Sequence, residues 1–87
     1  MYNYEDLKPK LFTEEGQTTF IKIRDHVKKT LLVSGAISAG KAMSAATGDS
    51  WLMLACVDRL VETGELREVT QEGVFAQHRL FVSANPN

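Results

Sequence analysis

Cysteine occurs once, proline twice, and no apolar stretch is longer than the seven residues from Trp51 to Val57. A single cysteine cannot close an internal disulfide, so packing alone has to hold the fold. Seven apolar residues fall far short of the ~20 that cross a bilayer as a helix. No basic-then-apolar leader opens the chain, which adds to an expectation of a cytoplasmic, reducing environment. With 87 residues there is room for one modest core, which argues against a two-domain enzyme built around a cleft. Neither sign of charge dominates at a net −1, so composition does not point to nucleic acid in the way a strongly basic domain would. The charge is nevertheless uneven. Residues 1–46 carry seven basic and five acidic side chains, residues 47–87 three basic and six acidic.

What is present is a run of local signals. Residues 1–12 are mixed polar and aromatic. Pro9 disfavours helix at Lys8 and should break any longer helix there. Tyr2, Tyr4, Leu7, Leu11 and Phe12 are too apolar for a free tail, so the segment is expected to pack on the domain or on a second copy of it. Thr13 is a good N-cap with Glu14 and Glu15 behind it. Phe20, Ile23, Val27 and Leu31 then recur at helical spacing, predicting a helix over 14–32. Gly35 permits a turn, Ile37 a short buried strand, and Ser38 a cap for a small helix over 39–46. Thr47-Gly48-Asp49-Ser50 is a turn and a second capping signal. From Ser50 to Thr63 the helical period returns, with Met53, Cys56, Val57, Leu60 and Val61 on one face and Gly64 as the stop. Two β-like runs follow, 66–70 and 74–82, joined by Gln71-Glu72-Gly73 as in a hairpin. In the second run Leu80 and Val82 are expected to face the core, leaving Arg79 and Phe81 outside. The expected domain spans residues 13–83, with 84–87 as a tail.

That order of elements resembles the winged helix-turn-helix superfamily. The residues carrying the resemblance are Ile37-Ser38 before the second helix, the Thr47–Ser50 turn, the exit Val57-Asp58-Arg59-Leu60-Val61-Glu62-Thr63-Gly64-Glu65-Leu66, and His78–Val82 as the return strand of the wing. The resemblance implies an α+β, mainly α fold: a winged helix of three helices plus a C-terminal β-hairpin wing. It also implies a nucleic-acid-binding surface. Ser50 and Trp51, with Leu54 and Ala55 behind them and Thr47 in the turn, would meet base edges. Lys41 and Ser44 would meet phosphates, and Gln71, Gln77 and Arg79 would lie on the wing. The function so implied is a transcriptional regulator binding double-stranded DNA as a homodimer, with Phe81, Tyr2, Tyr4 and Phe12 as exposed aromatics for the dimer contact.

The chemistry of that surface also suits a different use. Base readout relies on Arg, Lys, Asn and Gln, whereas this helix offers a serine, a tryptophan and aliphatics. Asp49 places a negative charge where phosphate would otherwise be welcome. The alternative is an adaptor that buries Trp51, Leu52 and Leu54 against another protein without binding DNA. An enzyme is not expected. Gly35 to Lys41 imitates a phosphate loop, but Ala42 stands where a Ser or Thr would hold magnesium, and the parallel sheet such a loop requires does not fit 87 residues. Asp49 and Ser50 read as helix caps, Cys56 as a small inert hydrophobe, and Asp58, Arg59 and Glu62 as a solvated helix face. One Cys with His26 and His78 does not make a metal site, and no cofactor is expected.

Overall fold

Capping chemistry sets the helix boundaries. The computed structural model describes residues 1–70, 73–74 and 76–84. Asn3 caps α1 (Tyr4–Leu11), its side chain accepting from the Glu5 amide. Thr13 caps α2 (Glu14–Ser34) through the Gly16 amide at 3.1 Å. Gly35, at φ 75°, ends α2 in the left-handed region that favours glycine, and its amide returns to the Leu31 carbonyl. The short strand β1 (Ala36–Ser38) leads into α3 (Ala39–Met43), capped by Ser38. Asp49 caps α4 (Ser50–Glu62), accepting from Trp51 at 2.9 Å. Strands β2 (Leu66–Glu68) and β3 (Leu80–Ser83) complete a three-stranded antiparallel sheet in the order β1-β3-β2. The fold is α+β and mainly helical.

Four expectations change here. Pro9 lies inside α1 instead of breaking it. The helix is short, and it survives because Leu7 and Leu11, one turn apart, are buried on the domain. The helix expected over 39–46 is α3, and it stops at Met43 because Ser44 turns back and donates to the Lys41 carbonyl at 2.6 Å. The β-like run from Val74 is interrupted among its described residues by a 3₁₀ turn, Ala76–His78, which packs against α3, and the strand begins only at Leu80. Lastly, the faces of β3 are exchanged relative to expectation. Phe81 is fully buried, paired across the ladder with Ile37, while Leu80 is exposed and Val82 only half-buried. Strand alternation holds, but a single choice of face decides every side chain. On this strand the core takes the larger Phe81 ring and leaves Leu80 outside.

The core is organised around α4. Residues 52–57 and Leu60 are all buried, so from Leu52 to Val57 this helix is enclosed on every side as a central rod, and only its ends and the Asp58–Glu62 flank carry polar or exposed side chains. It contacts α1, α2, α3 and β2. Burial pushes the Cys56 thiol up to about 12, which keeps it protonated and inert. Among the described residues no helix is long and apolar enough to cross a membrane. The Gly35–Lys41 segment runs through a helix cap, a strand of the antiparallel sheet and α3, so its backbone is not shaped as a phosphate-binding loop.

Candidate functional site

The residues singled out in the sequence divide into three groups. Lys41 on α3, Ser44 just after it, Thr47 in the turn, and Ser50 and Trp51 opening α4 are all exposed, Trp51 by 47%. Gln77 is exposed too, and its 3₁₀ turn sits close to α3: a Cβ added to Gly40 would lie 3.2 Å from the Gln77 carbonyl oxygen. These positions surround the corner where α3 turns into α4. Leu54 and Ala55 form the second group, 5% and 0% exposed, and belong to the core instead of a reading surface. Leu52 is buried inside the chain as well, and cannot serve as an external contact. The third group holds Arg79 alone, since Gln71 lies outside the described residues.

Arg79 is the hub of a polar cluster. It shares the core-facing side of β3 with Phe81, and its guanidinium lies 5.3 Å from that ring. Beyond the ring it donates to Asp58 on α4 at 2.7 Å and to both carboxylate oxygens of Glu68 on β2, at 2.9 and 2.7 Å. The side chains of Arg79 and Asp58 are only 20% and 16% exposed. The two carboxylates hold the guanidinium charged, and Arg79 in turn holds the Glu68 carboxyl below its ordinary range. Its charge is therefore answered within the fold.

The N-terminal segment closes the rest of the α4 flank. Tyr2 donates to Asp58 at 2.6 Å, Tyr4 to Glu62 at 2.9 Å and Lys8 to Glu62 at 2.9 Å, with Arg59 adding a fourth contact at 2.6 Å. The expected solvated face at Asp58 and Glu62 is thus the docking rail for α1. Tyr2 and Tyr4 are engaged with their own chain, and with Phe81 buried only Phe12 of the four aromatics remains largely exposed. A signal for the rail was present in the sequence: Asp58 and Glu62 stand one turn apart on an otherwise apolar helix, where carboxylates need partners.

This rail predicts a pH window. Hydrogen bonds from Lys8, Arg59 and Tyr4 lower the Glu62 carboxyl to about 2. A carboxyl depressed in the folded state stabilises it above the unfolded value of ~4.3, and that contribution is lost as pH falls toward 2. Burial and the bond to Glu62 raise the Tyr4 phenol to about 12, and burial with Asp58 raises Tyr2 in the same direction. Those contributions are complete below pH ~10 and are lost as pH rises through the folded values. Amide exchange followed across pH should show α1 loosening before the core at both extremes. Tyrosinate absorbance should show both phenols ionising later than free tyrosine.

Among the described residues no cluster of three His, Cys, Asp or Glu side chains could hold a metal ion. His26, on α2, has a buried Nε2 without a hydrogen-bond partner, at a single isolated position. No protein-family model, curated protein or solved structure matches the chain.

Proposed function

We propose that this chain is a winged-helix-type module that contacts another protein through the α3–α4 corner, with Trp51 as the anchor. The element order from α2 to β3 and the sheet order β1-β3-β2 support the winged-helix reading. One observation carries the choice of partner. The side of α4 that carries Asp58 and Glu62, which a DNA-binding winged helix would need clear beside the groove, is covered here by the chain's own N-terminal segment, and the nearest arginine is answered by Asp58 and Glu68. What stays open at the corner is a large aromatic beside a carboxylate, Trp51 next to Asp49, with Lys41 as a single exposed cation on α3. Phosphate binding draws on uncommitted cations, whereas protein interfaces favour tryptophan as an anchor.

A photo-crosslinking residue placed at position 51 in the producing cell is expected to trap one discrete protein partner. The same residue at the exposed Lys10 should not trap it. With that partner purified, Trp51→Ala is expected to weaken binding by about thirtyfold or more, the scale of an aromatic hot spot. No position-specific adduct would count against the proposal.

A second reading, a dimeric regulator that binds duplex DNA, draws on the exposure of Lys41, Ser44, Thr47, Ser50 and Gln77 around one corner. Under that reading Lys41→Ala should weaken binding uniformly across sequences and flatten its salt dependence.

A further inference from the structure

On the outer face of the sheet, away from the α4 rail, a groove of about 520 Å³ runs between the last turn of α2 and the strands. Its apolar lining comes from Leu31, Gly35 and Val82, with Arg67 along one side. Leu32, the next residue along α2, is 88% exposed, and Lys28 lies one turn before both leucines. Two features coincide in this region. A leucine left almost wholly in water beside an apolar groove extends one contiguous apolar area. Arg67 lines the groove, and Lys28 lies on the same face of α2 as Leu31; both cations are exposed and have no ion-pair partner among the described residues, as holds also for Lys10, Lys22, Lys29 and Lys41.

We propose that this groove binds an apolar protein segment that carries carboxylates, its aliphatic side chains seated against Leu31 and Val82 and its acids answering Lys28 and Arg67. Charge selects this occupant. A second copy of the chain would bring like against like in an isologous contact, setting Lys28 and Arg67 of both copies around the same seam. An acidic segment supplies the missing sign at both positions, and complementary potential is what steers and orients such encounters. A nucleic acid would satisfy the cations but leave the apolar lining unused. The groove is built from α2, β2 and β3, so the proposal stands independently of the Trp51 corner.

The test uses the whole chain, isotopically labelled, and a synthetic peptide alternating leucine with glutamate. A leucine–lysine peptide of equal length serves as the control. Titration is expected to shift the amide signals of Leu31, Gly35, Arg67 and Val82 with the acidic peptide and not with the basic one. Lys28→Glu with Arg67→Glu should weaken the acidic peptide about tenfold or more and transfer preference to the basic peptide. Leu32→Ser should weaken it without reversing that preference. All three substituted side chains are exposed and the two cations pair with nothing described, so unchanged melting temperatures will establish that the variants are folded. Shifts scattered elsewhere, binding indifferent to the charge reversal, or tighter binding of duplex DNA or anionic vesicles at the same residues would overturn the proposal.

Discussion

Replacing Gly16 with alanine is expected to lower the melting temperature by roughly 12–24 °C, the consequence of losing ~3 kcal/mol in a domain this small. Gly16 lies in the first turn of α2, where the chain has just left α1. A Cβ there would sit 2.0 Å from the Lys10 carbonyl oxygen and 2.8 Å from the Leu11 carbonyl carbon and Cα. These are backbone atoms, so no side chain can swing aside. The two helices would have to separate, breaking the bond from the Gln17 side chain to the Leu11 carbonyl at 2.6 Å and loosening Leu7 and Leu11 from the core. Each leucine so released forfeits ~1.5–3 kcal/mol of burial. Thermal unfolding followed by circular dichroism measures the loss, and amide exchange should localise it to α1. The equivalent change at Gly40, whose added Cβ would meet the Gln77 oxygen at 3.2 Å, should cost much less because the 3₁₀ turn can give by a few tenths of an ångström.

Phe81→Ala should be comparably severe, at about 3–5 kcal/mol. The ring is fully buried, paired with Ile37 across the sheet, and the Arg79 guanidinium passes 5.3 Å from it on the way to Asp58. Truncation opens a cavity and also removes the surface that guides Arg79, so the Asp58–Arg79–Glu68 cluster loses its alignment. Phe81→Leu keeps part of the volume and should be milder. Leu80→Ala, one residue away on the exposed face, should fall within about 0.5 kcal/mol of the native chain. Equilibrium denaturation of the three variants checks this ranking. An outward-facing Phe81, the arrangement expected from the sequence, would give the reverse order.

Those two residues show where reading the chain succeeds and where it fails. The long helix from Glu14 and the helix from Ser50 announce themselves through caps and periodic apolar residues, and Gly35 and Gly64 mark their ends. These are local signals, decided within a few residues. The face of β3 is a tertiary decision: alternation says only that Phe81 and Arg79 share a side, and whether that side meets Ile37 or water depends on strand pairing. Helix α1 is tertiary in the same sense. Pro9 argues against it locally, and burial of Leu7 and Leu11 overrides that preference. The candidate surface suffers most from this gap. Lys41, Ser44, Thr47, Ser50, Trp51 and Gln77 were found by position and are exposed, whereas Leu54, Ala55 and Arg79 were assigned outward on the same logic and are taken up by the core and by Asp58. The consequence reaches the proposed function, because the Asp58–Glu62 side of α4 is covered by the chain's own N-terminal segment.

Duplex DNA titrated into the whole chain at low ionic strength, with Trp51 emission as the reporter, tests that claim most directly. The account predicts no saturable change in emission and no binding that weakens with added salt, because the flank is closed and its arginine paired. Tight binding that falls steeply as salt rises, with Trp51 quenched and Lys41→Ala weakening the complex, would contradict it.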